Sequence, residues 1–341
     1  MSATSSIDGG GPGRVGPRID VHAHPGRCFL DDKPRTDPFL AAMPNPEPQA
    51  AYDDLRLGRM TAVSYATVAD FLVLGLVEPT RLGALRPFAP GEAVRDNHRQ
   101  LDTILGIAKR FDMPVVRTAA DIDMAHREGR TALFLTCEGA DFAEDDLGLV
   151  DSAHEVGVRS ITIVHYRQNA FGDLQTEPPL YGGLSQRGRE LVSRMNSLRM
   201  IVDLAHASYE TTRDAVEMSS APTMISHTHL RHDTNDSPRL VSLEHARVVA
   251  DAGGLIGAWP SGVRSATFEN FVDEIIFLID AIGVDHVAIG TDMDGNYRPV
   301  MTRFAQFDDL SEALSRRGLS NGEVDRVLGG NARDLVAVVC G

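Results

Sequence analysis

The chain has 341 residues with 33 Lys and Arg against 48 Asp and Glu, a net charge of -15 that argues against polyanions such as nucleic acid. A hydrophobic fraction of 43% can cover a large core, yet no stretch approaches the roughly 20 apolar residues of a membrane span. Cys28, Cys137 and Cys340 are too few and too scattered for a disulfide framework or a thiolate zinc site.

Residues 1–17 are rich in Gly, Pro and Ser, without the apolar segment of a secretory signal, and read as a flexible leader. Residues 18–341 show no internal repeat or low-complexity linker, which predicts one catalytic domain and, with reduced cysteines, a cytoplasmic protein. RIDVHAH is the first apolar run and ends in His22 and His24. A Pro- and Asp-rich stretch (26–60) follows, then a strand over 62–70. A second irregular stretch spans 77–98, and both long segments are of the kind that forms lids and substrate walls after barrel strands. A helix over 99–111 leads to ALFLTCE, ending in Glu138. Helical spacing at 146–157 precedes SITIVHY (160–166), with His165 near its end and a loop at 167–183. A helix at 187–199 leads into RMIVDLAH and His206, and another at 209–218 into PTMISH and His227. Helices at 242–253 and 268–283 flank a strand at 253–260, and HVAIGTD brings the last strand to Asp292. The tail reads as a helix pair broken at Gly329-Gly330. Eight strands alternating with helices predict a (β/α)8 TIM-type barrel.

Five of these runs stop at a metal-binding side chain, so the barrel's strands are expected to converge on one metal centre. Two residues apart on an extended strand, His22 and His24 point to one face and can grip one ion. A carboxylate such as Glu138 is costly to bury unpaired, and bridging two metals with its two oxygens removes that cost. His206 and His227 end neighbouring strands and can share an ion. Asp292 is placed as general base toward a water held by the metals, with Asp294 serving the turn. His165 faces the same cavity and can stabilise an oxyanion. His229 is open to a supporting role; His98, His126, His154 and His245 read as solvated and His286 as structural. Only two lysines occur, Lys33 and Lys109, and neither ends a strand, so a carboxylated lysine cannot bridge the metals.

From about residue 18 onward the chain resembles the membrane dipeptidase family (renal dipeptidase), a branch of the amidohydrolase superfamily. The resemblance rests on RGRELVSRMNSLRMIVDLAHAS, CEGAD, GVRSITIVHY, SHTHLR, HVAIGTDMDG and the late GGN. It implies two zinc ions per chain, bridged by Glu138, with His22 on the first and His206 and His227 on the second. It also implies that His165 contacts the substrate and its tetrahedral intermediate, that Asp292 lies near the bridging water, and that Arg239 receives the dipeptide carboxylate. The family usually has H-x-D on the first strand; here His24 stands at the Asp position, making the site more positive. The resulting expectation is a zinc-dependent dipeptidase that cleaves the peptide bond by attack of a metal-bound hydroxide. The alternatives are an amidohydrolase or isomerase acting on another small amide or modified amino acid, or a catalytically silent metal-binding barrel. The expected partner is a small molecule, a dipeptide or related amide, with neither nucleic acid nor membrane; a homodimer is left open.

Overall fold

The structure, a computed structural model, describes residues 16–31, 46–78, 81–232, 235 and 237–341. Most of the expected leader, Lys33 and much of the first Pro-rich stretch lie outside these residues. Eleven strands occur among the described residues: β1 (Ile19–Asp20), β2 (Ala62–Val68), β3 (Leu74–Glu78), β4 (Arg81–Ala84), β5 (Ala132–Glu138), β6 (Ser160–Thr162), β7 (Ile201–Asp203), β8 (Met224–Leu230), β9 (Leu240–Val241), β10 (Leu255–Ala258) and β11 (Val287–Ile289). In the order β10-β11-β1-β2-β5-β6-β7-β8, with β8 pairing back to β10, eight parallel strands close into a barrel. β9 extends β8, and β3 and β4 form a separate antiparallel hairpin.

Strands buried on both faces are dominated by apolar residues, and all seven residues of β2 (AVSYATV) and of β5 (ALFLTCE) are buried, the Ser64 and Thr136 hydroxyls pairing at 2.8 Å. Helices between the strands put their apolar stripes against them. The segment Glu92–Arg110 buries Leu101, Ile104, Ile107 and Ala108, while Phe268–Ile282 buries Phe271, Val272, Ile275 and Leu278. Side-chain caps mark several starts: Ser185, Ser208, Ser242 and Thr267 each accept an N–H from the first turn.

Four features depart from the sequence expectation. The stretch 77–98 is not irregular throughout, since it contains the end of β3, all of β4 and the start of the Glu92–Arg110 helix. Helices at Ala119–Glu128 and Phe307–Arg316 were not anticipated. His245 is buried rather than solvated and hydrogen-bonds with Thr212 at 2.7 Å. Finally, β8 carries an extra residue against β10: Ile225 pairs with Ile256, but Thr228 pairs with Ala258, leaving Ser226 and His227 opposite Gly257. A Cβ at Gly257 or Gly290 would sit 1.8 or 1.9 Å from the Ser226 carbonyl, so only glycine fits beside this bulge.

Candidate metal centre

All five expected ligands meet at one end of the barrel. Glu138 is the last residue of β5, level with Val68 of β2 and Thr162 of β6. His22 and His24 lie just beyond β1, where the His24 N–H donates to the Met293 carbonyl at 2.8 Å and the Asp292 N–H to the His22 carbonyl at 2.7 Å. His206 and Asp292 sit three residues past β7 and β11 in left-handed turns, with φ of 65° and 54°. Non-glycine residues in that region cluster at functional sites, because surrounding structure must hold them there. His227 is not at a strand end, as expected, but within β8 at its bulge, a device that re-aims a side chain.

The Glu138 carboxylate is the hub. Its Oε1 lies 3.1 Å from His206 Nε2, 3.3 Å from His22 Nε2, 3.4 Å from His165 Nε2 and 3.7 Å from His227 Nε2. Oε2 lies 3.4 Å from His24 Nε2, which is also 3.3 Å from Asp292 Oδ1. Two overlapping groups can each hold a cation: His22, His24 and Glu138, and Glu138, His206 and His227, with ligand atoms in each group within 4.8 Å of one another. Every one of these side chains is buried.

The donor set fits a pair of metal ions. His24 Nδ1 donates to the Ala66 carbonyl at 3.0 Å, and His227 Nδ1 contacts Ser226 Oγ at 3.1 Å, which turns each Nε2 toward Glu138. The buried His22 Nε2 has no hydrogen-bond partner among the described residues. Burial, then Arg239 for His206 and His22 for His227, hold both imidazoles well below their usual pKa and therefore neutral. Burial tends to raise the Glu138 pKa, but His165, His22 and the His206 hydrogen bond outweigh it and hold the carboxyl well below the usual range. Neutral imidazoles around an ionised carboxylate are the state in which these groups ligate. At His24 burial disfavours the charge, yet Asp292 and Glu138 prevail and raise its pKa well above the usual value. The pocket between His24, Asp292 and Glu138 thus attracts positive charge.

Around this hub stand the remaining expected residues. His165 donates from Nδ1 to Asp70 Oδ1 at 2.7 Å. Burial opposes its charge, but Asp70 and then Glu138 raise the pKa to about 9, so the ring is an imidazolium near neutrality with Nε2–H toward the cavity. Asp292 accepts from Trp259 Nε1 at 3.3 Å. Asp294 accepts the Gly26 N–H at 2.8 Å in the turn. Arg239 holds one nitrogen 3.3 Å from both His206 Nε2 and His227 Nε2, and its other end meets Gln175 from the 167–183 loop. His229 lies apart from the hub, donating to the Ser261 carbonyl at 3.3 Å.

Three supporting carboxylates escaped the sequence reading. Asp20 accepts from the N–H groups of His22 and Thr291 at 3.1 and 3.0 Å and from the Thr291 hydroxyl. Asp203 accepts from the N–H groups of Ala205 and Ser226 at 3.0 and 2.9 Å and from Thr162 Oγ1 at 2.7 Å, tying three strands together below His206 and His227. Asp70 gives one oxygen to His165 and the other to the N–H groups of Tyr166 and Arg167. The available signal was an Asp at the close of an apolar run, in RID, TVAD and IVD.

A model of the membrane dipeptidase family (peptidase family M19) matches residues 49–336. Dipeptidase aclJ of Aspergillus oryzae is 30% identical over 305 residues, covering 83% of this chain and 68% of that protein. Dipeptidase tcpJ of Claviceps purpurea is 29% identical over 249 residues, 70% of this chain and 59% of that protein. The chain thus spans three fifths to two thirds of the length of these curated relatives. A metallopeptidase of Rhodobacter sphaeroides, solved with a phosphinate mimic of the dipeptide L-Ala-D-Ala, has the same fold, with a TM-score of 0.76 at 21% identity over 95% of this chain and 99% of that one.

Proposed function

Since the chain belongs to the membrane dipeptidase family, we propose that it is a zinc-dependent dipeptidase holding two ions per chain. The observation that carries this is the pair of ligand groups sharing Glu138, open to a cavity of about 930 Å³ that also meets His165, Arg239 and Asp292. His22, His24 and Glu138 would hold the first ion, and Glu138, His206 and His227 the second. Imidazole and carboxylate donors without thiolate suit zinc. When bound, zinc supplies Lewis acidity toward the scissile carbonyl and toward water.

The chain's own groups divide the remaining work. Asp292, fixed through its other oxygen by Trp259, takes the proton of the attacking water at Oδ1 and can pass it to the leaving amine. The His165 Nε2–H donates toward the oxygen on which negative charge develops. The Arg239 guanidinium receives the terminal carboxylate of the dipeptide. A complete donor set speaks against a silent barrel, which needs only to have lost one ligand.

Metal analysis of purified protein together with hydrolysis of L,L and L,D dipeptides tests this reading. Two zinc ions per chain and release of free amino acids are expected. Two ions with no dipeptide cleaved would shift the reading to another small amide; no bound metal would overturn it.

Asp70→Asn is expected to keep both ions and the fold while lowering kcat roughly 10- to 100-fold, the usual cost of removing a side chain that orients a site residue. An Asn at this position cannot both balance the imidazolium and keep the Nδ1 hydrogen in place. A change confined to KM would place the role of Asp70 in binding rather than in orienting His165.

A further inference from the structure

The cavity above the metal centre is two-sided. At about 930 Å³ it lies near the upper end of small-ligand sites, roomy for the smallest dipeptides. On the His206–His227 side it is cationic and aromatic: Arg239 stacks 5.3 Å from the Trp259 ring and 5.9 Å from that of Tyr166. On the His24 side it is apolar. The Phe29 ring meets His24 edge-on at 5.1 Å and Phe71 at 5.0 Å, and Val68 completes that cluster.

The β3–β4 hairpin continues this apolar side. Leu76 pairs directly with Leu82, and Leu74 lies two residues before Leu76, so the three share one face, and all three line the cavity. They are half-buried, leaving apolar surface free toward the ligand space. A lone two-stranded hairpin is marginal in water. The Leu85 N–H extends its ladder to the Val73 carbonyl at 2.8 Å, and the ion pair of Arg81 with Glu177 fastens it to the 167–183 loop. Arg81 also pairs with Glu78 at 3.1 Å, so the hairpin's own charges are matched to each other and to that loop.

We propose that the β3–β4 hairpin, through Leu74, Leu76 and Leu82, is a specificity wall selecting dipeptides whose N-terminal residue carries a large apolar side chain. The assignment rests on the dipeptidase reading. With the carboxylate on Arg239, the scissile bond lies over Glu138 and the N-terminal residue extends toward Phe29 and the hairpin. An apolar side chain there buries against leucine, whereas glycine leaves the wall uncovered.

The test compares kcat/KM of the zinc-loaded parent and L76N/L82N on Leu-Ala, Gly-Ala and Glu-Ala. The parent should prefer Leu-Ala to Gly-Ala by roughly 10-fold or more, the scale on which an apolar pocket discriminates by size. L76N/L82N should lose most of that preference while Gly-Ala stays within roughly twofold of the parent. Should the double variant also lose Gly-Ala, L82A decides: its preference must fall with Gly-Ala retained, and any other result overturns the wall. An unchanged Leu-to-Gly ratio overturns the wall and leaves the dipeptidase reading standing. Preference for Glu-Ala also overturns it and gives selection to Arg298, which also lines the cavity. If the parent cleaves no dipeptide in either series, the dipeptidase reading itself fails and takes this assignment with it.

Discussion

Glu138→Gln is expected to leave the barrel folded, strip at least one metal ion per chain and lower kcat/KM by roughly 10³-fold or more, since metal stabilisation of the transition state is worth several kcal/mol. The substitution keeps the side chain's size and removes its charge. Four imidazole nitrogens lie within 3.7 Å of Glu138 Oε1 and a fifth is 3.4 Å from Oε2. A neutral amide there cannot balance two divalent ions, and its NH2 end has no available lone pair with which to hold one. Circular dichroism checks the fold and mass-spectrometric metal analysis the ions; near-normal zinc content would remove Glu138 as the bridge. His24→Ala is the milder companion. It should weaken the first site alone and recover partly in excess zinc, because His22 and Glu138 remain. If His24→Ala keeps two ions at ordinary zinc, His24 is not a ligand.

Asp292→Asn should retain both ions while kcat falls by roughly 10²-fold or more, the scale of a positioned acid–base group. The backbone isolates this effect. Asp292 has φ of 54°, a conformation Asn adopts as readily as Asp, so the turn need not rearrange. The hydrogen bond from Trp259 can still be accepted by an amide oxygen. What disappears is the carboxylate's capacity to take a proton. If metal content falls while kcat per loaded site barely moves, Asp292 is a ligand instead of a base, a reading that its 3.3 Å approach to His24 Nε2 makes worth separating.

Arg239 and His165 mark the limits of pairwise reading. His165 was expected at the cavity from its strand and Arg239 only from the family resemblance, and neither expectation stated a distance. In the fold, Arg239 is held between Gln175 of one loop and two histidines of neighbouring strands. His165 is held by Asp70, 95 residues earlier, whose carboxylate raises the imidazole pKa against the opposing effect of burial.

The parallel barrel and the convergence of five candidate ligands were legible in the chain itself. A strand buried on both faces is dominated by apolar residues, so a histidine, glutamate or aspartate that closes such a run stands out from its neighbours alone. ALFLTCE is the plainest case: a buried, mostly apolar strand closes on Glu138, the carboxylate both candidate ligand groups share. Three things were decided only by tertiary structure. The bulge that aims His227 exists because Gly257 and Gly290 let the Ser226 carbonyl approach from adjoining strands, a pairing between residues more than 30 positions apart. The hairpin of Leu74, Leu76 and Leu82 is too weak to declare itself locally and is held by contacts to a distant loop. Asp20, Asp70 and Asp203 look like ordinary strand-end residues until the barrel closes and their oxygens find N–H groups and side chains on other strands and loops. Ligand identity is a property of the residue and its burial, which local pattern records. Ligand orientation depends on hydrogen bonds that exist only after distant segments meet.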